Sequence, residues 1–390
     1  MTQDKKTYLF NPENDMALAV NKPYYKPPKE IIRMAYDLGS LPAWYCDEGD
    51  VVKVEDEDMC SSFQTLCGAY GVQPFGSCVS HWLNMEYVPW GWNCVLTHEL
   101  SLHHVDACFY PDEEKMNAIR VLSGRQQAMY VLSRLHDLSD VCGESFVAKS
   151  RAEVSSLHHT YSRIIIKSPW SGSGRGLVKI DSAPIENSVL GWIDRILRTQ
   201  GCVMVEPLYN KVCDFAMEFF ADKNGKVRGV GYSLFETDVQ GNYKCNVMAD
   251  DAWIIKKLSD YVPELLLHKV QHRLESILSE LIRGAYHGYL GVDMMICIHG
   301  GKYYLHPCVE INLRMNMGVV ARLLYDRYME NGIVGQYVVE HFWRDGEALL
   351  FMSEMEVEHP CTVCNGKLIK GYLPLTPISE FTRFHIYILA

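Results

Sequence analysis

A carboxylate, an amide and a guanidinium recur at every second position of one otherwise apolar segment. His306-Pro307-Cys308-Val309-Glu310-Ile311-Asn312-Leu313-Arg314 reads as a strand. Alternate strand residues share a face, so Glu310, Asn312 and Arg314 project together. The apolar run 289–298 before it carries one carboxylate, Asp293. His299-Gly300-Gly301-Lys302 reads as the tight turn joining the two. With both glycines central, Asp293 is expected opposite Cys308, and Glu310 is its diagonal neighbour roughly 7–8 Å away. Pro307 is the residue that could add a bulge and change this register. Asp293, Glu310 and Asn312 form a hard-oxygen set that suits Mg²⁺ shared with a substrate phosphate. The plainer alternative is a half-exposed strand with a wet face, and a lone aspartate in so apolar a run weighs against it.

A second group could handle phosphate. Arg163-Ile164-Ile165-Ile166-Lys167 is a β-branched strand ending in lysine, followed by the loop Ser168-Pro169-Trp170-Ser171-Gly172-Ser173-Gly174-Arg175-Gly176 and a return strand from Leu177. Glycines let backbone N–H groups approach phosphate oxygens, and Lys167 adds a point charge. The loop matches neither the Walker pattern nor GxGxxG before a helix, because strands flank it on both sides. On its own it serves equally well as a glycine-rich hairpin. Near the N-terminus, Asn11-Pro12-Glu13-Asn14-Asp15 follows a short strand candidate. It reads equally as a substrate-facing loop beyond a strand end or as a turn and helix cap. No nucleophile elbow or Ser-His-Asp signature is present.

The elements that must position these groups are those of an α/β and α+β protein. The 390 residues suffice for two or three domains, and 48% hydrophobic content is that of a globular chain. A net charge of −11 argues against broad nucleic-acid or anionic-membrane binding. There is no basic, then apolar, leader and no apolar run long enough to span a bilayer. The 14 cysteines are scattered without scaffold spacing, which reads as a reduced, cytoplasmic protein. Cys361 and Cys364 form a lone CxxC with no matching ligand pair, so zinc is not expected. Helical spacing predicts a helix opening at Ser123-Gly124-Arg125, another over 186–199 and another over 263–282. Asp214 and Glu218 alternate to one face of a strand otherwise made of Phe215, Met217 and Phe219. Asn224-Gly225 reads as a hairpin turn. The expected domains are 1–117, 118–200, 201–333 and a C-terminal extension, 334–390.

The order of these parts resembles the ATP-grasp superfamily over about residues 118–320. The resemblance implies an N-terminal α/β domain of the kind that precedes ATP-grasp units, then a two-subdomain ATP-grasp fold with antiparallel sheets. By that resemblance Arg125 and Lys167 contact ATP phosphates, with Gly172, Gly174 and Gly176 closing over them. Backbone groups near Glu206 and Leu208, in Val203-Met204-Val205-Glu206-Pro207-Leu208, read the adenine, and Asp214 binds the ribose. Asp293, Glu310 and Asn312 hold Mg²⁺ or Mn²⁺, and Arg314 lies near the transferred phosphate. The implied activity is ADP-forming carboxylate–amine ligation through an acyl phosphate, with a small acid and an amine as substrates and a homodimer as assembly. A phosphotransferase and a nucleotide-binding regulator are the alternatives. The Asn11 to Asp15 loop, Arg314 and residues 232–246 are candidate substrate contacts.

Overall fold

The computed structural model describes residues 5–171, 176–181, 184–237 and 243–390. The chain opens with a parallel sheet of β1 (Thr7–Leu9), β2 (Val51–Lys53), β3 (Ser77–Val79) and β4 (Tyr87–Pro89), in the order β3-β2-β1-β4. Helices Glu57–Tyr70 and Cys94–Leu102 connect or follow these strands, capped by the side chains of Asp56 and Asn93. This is the α/β start that the sequence predicts.

The second sheet is antiparallel. It holds β5 (Phe146–Ala148), β6 (Arg163–Lys167), β7 (Leu177–Asp181) and β8 (Val203–Pro207), in the order β5-β8-β6-β7. Helix Asn187–Gln200 covers it with Ile193 and Ile196, which are buried against Ile164, Ile166 and Val205. β6 and β7 are the two arms of the glycine loop, paired to Lys167 and Leu177 at its base. Gly172 and Gly174 lie outside the described residues.

The third sheet, also antiparallel, has eight strands. They are β9 (Lys211–Ala221), β10 (Val227–Thr237), β11 (Tyr243–Met248), β12 (Gly288–His299), β13 (Lys302–Asn312), β14 (Gly335–His341), β17 (Tyr372–Pro374) and β18 (Phe384–Leu389). Their order is β13-β12-β9-β10-β11-β14-β18-β17, and a small hairpin of β15 (Thr362–Cys364) and β16 (Lys367–Lys370) stands apart. Helix Glu264–Ile282 buries Leu267, Val270, Leu274 and Leu278 against Phe215, Met217 and Phe219 of β9. Strands from after residue 334 thus complete this sheet. No helix among the described residues is long and apolar enough to cross a membrane.

Two local expectations change. Gly300 and Gly301 do form the β12–β13 turn, both at positive φ (57° and 78°), but the ladder does not continue in simple register. Met295 pairs with His306 while Asp293 pairs with Glu310, so residues 307–309 bulge opposite the single residue Met294. Pro307 has no N–H for the ladder, which favours the bulge there. Asp293 therefore stands opposite Glu310, not Cys308. The helix expected to open at Ser123 runs over Gln127–Ser133, and Arg125 precedes it because its N–H donates to the Pro169 carbonyl at 3.0 Å.

Candidate functional site

The bulge places two carboxylates directly across a strand pair. Asp293 and Glu310 line one cavity of about 300 Å³ with Asn312, Arg314 and Glu218. Phe10, Asp15 and Trp90 reach its lining from the N-terminal parallel sheet and its loops, and Ser233, Tyr243 and Asn246 from β10 and β11. Both segments named as substrate contacts thus reach it. The 11–15 loop proves to be turn and contact at once. Asn11 exchanges two hydrogen bonds with the Gly91 backbone (2.8 and 3.2 Å), while Asp15 faces the cavity.

Charge is arranged in pairs around this cavity. Asp15 receives two hydrogen bonds from Arg314, Nε to Oδ1 at 2.9 Å and Nη2 to Oδ2 at 2.7 Å. The same Nη2 donates to Asn312 Oδ1 at 3.0 Å. Burial is the largest single influence and raises the Asp15 pKa, but the charge and hydrogen bonds of Arg314, with the Arg125 charge and a bond from Asn14, together outweigh it and hold the carboxyl below its ordinary value. Arg125, 5% exposed, donates to Glu310 Oε2 at 2.9 Å and to the Ser168 carbonyl at 2.8 Å. It thereby ties the base of the glycine loop to the carboxylate set.

Asp293 has no such cation. Burial first, then the charges of Glu310 and Glu218, push its pKa up to about 8. Glu218, buried, is pushed up to about 7 by desolvation, which hydrogen bonds from Asn316 (3.0 Å) and Ser233 (2.8 Å) only partly offset. Crowded carboxylates of this kind attract a divalent cation, and the donors are oxygens throughout, as Mg²⁺ prefers. Among the described residues no three His, Cys, Asp or Glu side chains form a metal cluster by themselves. The set present, Asp293, Glu310 and the Asn312 amide, fits an ion that shares its remaining positions with a ligand.

Glu218 was visible in the sequence as a carboxylate in an apolar strand, but its role here was not. It sits across from Gly291, where an added Cβ would lie 2.5 Å from Glu218 Oε2. Gly291 therefore leaves the room that the Glu218 side chain uses.

The remaining expected residues do not line this cavity. Lys167 and Glu206 are both buried and form an ion pair, Nζ to Oε2 at 2.5 Å, with Ser145 donating to the other carboxylate oxygen at 3.1 Å. The Leu208 N–H, expected to face a base, donates to the Arg163 carbonyl at 2.9 Å. Asp214 lies within β9 and pairs with Lys211. Gly176 is at φ 69°, where a Cβ would meet Ser168 Oγ at 2.2 Å. Trp170, the bulky residue of the loop, holds the Arg120 guanidinium 3.8 Å from its ring centroid and donates to the Arg120 carbonyl at 2.8 Å. His306, fully buried, has no partner for either ring nitrogen. Burial and then Lys167 lower its pKa to about 3, so it is neutral.

Comparisons with known proteins bear on the fold. No family model and no curated protein matches the sequence. Among solved structures, biotin carboxylase from Campylobacter jejuni, in complex with βγ-ATP, superposes with a TM-score of 0.52 at 12% identity. That match covers 99% of this chain and 87% of that one. Pyruvate carboxylase from Rhizobium etli matches with a TM-score of 0.53 at 11% identity, over 99% of this chain and 35% of that one. With a parallel α/β domain, a four-stranded antiparallel sheet bearing the loop and a larger antiparallel sheet bearing the carboxylates, this chain has the ATP-grasp fold.

Proposed function

We propose that this chain is an ATP-dependent, ADP-forming ligase that joins a small carboxylic acid to an amine through an acyl phosphate. One observation carries the reading. Arg125 links the glycine-loop base to Glu310, and Glu310 shares a cavity of about 300 Å³ with Asp293, Asn312 and Arg314. A phosphate site and an oxygen-ligand set thus adjoin a space sized for a small molecule. The likeness to a biotin carboxylase solved with βγ-ATP agrees with this.

In this reading Lys167 and Arg125 hold the phosphates, and the glycine loop closes over them to exclude water. Glu206 and Leu208 lie by the base and Asp214 by the ribose, with domains divided at residues 117, 200 and 333. Asp293, Glu310 and Asn312 would hold Mg²⁺ or Mn²⁺, which would supply charge neutralisation for the transferred phosphate. The substrate carboxylate attacks the γ-phosphorus, and the bond to the β-phosphate oxygen breaks, giving ADP and the acyl phosphate. Arg314, oriented by Asp15, stabilises the charge on the transferred group. The amine then adds to the acyl carbon, phosphate leaves, and Glu218, poised near neutrality, accepts the amine's proton.

The test is Mg²⁺-dependent ADP release with pooled carboxylic acids and amines, using Glu310→Ala as control. ADP formed only when both an acid and an amine are present, and lost in the variant, supports the ligase. Release with a hydroxyl compound alone makes it a phosphotransferase. Absence of ATP binding by calorimetry to folded protein sinks the reading.

A further inference from the structure

Behind the candidate active site lies a larger cleft of about 910 Å³. It opens between the start of β1, β4, the segment around Tyr110 and the β9–β10 and β12 ends of the large sheet. A thin wall divides the two spaces. Trp90, Arg314 and Asn316 line the smaller cavity, whereas their chain neighbours Pro89, Gly91 and Met315 line the cleft. The Met315 N–H donates to the Trp90 carbonyl at 2.9 Å and holds that wall together.

The cleft combines flat apolar surface with positive charge. Trp92, Tyr110, Phe220 and Tyr289 line it, and Phe220 meets Tyr289 edge-on at 4.9 Å. Arg228 stands 5.5 Å from the Phe220 ring centroid. Lys6, Lys115 and Lys223 complete the cationic lining, against the carboxylates Asp47 and Glu86. Asp47 is turned to Arg327, 3.8 Å away, and Glu86 makes only a loose 3.7 Å contact with Lys223. Among the described residues, the side chains of Lys6, Lys115 and Arg228 have no ion pair. Lys6 and Lys223 also converge on His287, whose pKa burial and then their charges hold below its ordinary value. In a chain of net charge −11, this concentration of unpaired cations runs against the composition.

We propose that this cleft is a second ligand site, separate from the candidate active site, for a small organic anion with a planar ring and a phosphate group. The ring lies against Phe220 and Tyr289, where offset or edge contacts are favourable. The phosphate takes charge-assisted bonds from Arg228, Lys223 and Lys6. Because the wall is shared, the ligand would press on the backbone that carries Trp90, Arg314 and Asn316.

The probe is pyridoxal 5′-phosphate, a planar ring bearing a phosphate and an aldehyde. Its aldehyde condenses with a lysine amine, water leaves, and borohydride reduces the imine to a stable amine for peptide mass mapping. On the full chain, Lys6 or Lys223 is expected to label about tenfold faster than other lysines, since a site of matched charge concentrates the probe. Pyridoxal without the phosphate should lose that preference, and Arg228→Ala, at an exposed position, should reduce it severalfold. Glu310→Ala, which removes the candidate active site, should leave it unchanged, so the two readings fail independently. Even labelling of all lysines, or a preference that survives both loss of the phosphate and Arg228→Ala, overturns the proposal.

Discussion

Arg314 and Asp15, 299 positions apart, are joined by two hydrogen bonds of 2.9 and 2.7 Å at the wall between the N-terminal domain and the carboxylate sheet. This pair fixes the guanidinium, which also donates to the Asn312 amide oxygen and to the Met315 carbonyl. Asp15→Asn removes the charge and leaves the mostly buried Arg314 without its hydrogen-bonded counter-ion. The expected loss is about 2–4 kcal/mol of stability, read from denaturant unfolding at pH 7. Asp15 has a lowered pKa in the folded chain. Its contribution is therefore complete above the unfolded value of about 4 and fades as pH falls through the folded one. The gap between wild type and Asp15→Asn should narrow below about pH 4.

Asp293 and Glu218 carry the opposite sign. Their folded pKa values, about 8 and about 7, lie above those of an unfolded carboxyl. Ionising them in place costs stability, so the metal-free protein should weaken as pH rises from about 5 to 9. Asp293→Asn should be more stable than wild type at the upper end by about 1–3 kcal/mol. Mg²⁺ should raise the wild-type melting temperature most at high pH and leave Asp293→Asn nearly unmoved. Thermal melts across that range, with and without the ion, decide it.

Lys167 and Glu206 share a buried 2.5 Å ion pair. Glu206→Gln strands a buried charge and should cost about 3 kcal/mol. Lys167→Met combined with Glu206→Gln should recover much of that stability. ADP release should remain at least about 100-fold below wild type in the double variant, because the proposed phosphate contact is gone. Recovery of turnover along with stability would assign the lysine a structural part only.

Gly291 tests the shape of the cavity. An alanine there places its Cβ 2.4 Å from Asn316 Nδ2 and 2.5 Å from Glu218 Oε2. Gly291→Ala should destabilise the fold by about 1–3 kcal/mol through overpacking. It should also depress turnover by displacing Glu218, while ATP binding measured by calorimetry changes little.

Much of the site was legible in the chain because strands advertise their polar exceptions. Asp293 in an apolar run, and Glu310, Asn312 and Arg314 at a spacing of two, need only strand periodicity to share a face. The paired glycines at 300 and 301 located the turn because few other residues adopt positive φ there at low cost. What the chain alone could not supply was register and partnership. Three residues bulging at Pro307 against one at Met294 set Asp293 opposite Glu310, and nothing in the hydrophobic pattern specifies how such a bulge is absorbed. The alternation in β9 named Glu218 but not Gly291 and Asn316, which lie 73 and 98 positions further along and give that carboxylate its room and one of its two hydrogen bonds. Asp15 likewise became a partner of Arg314 only when the N-terminal loop met the end of β13. Sequence periodicity is local and decides which face a side chain takes, whereas charge pairing and burial depend on elements brought together over the whole chain.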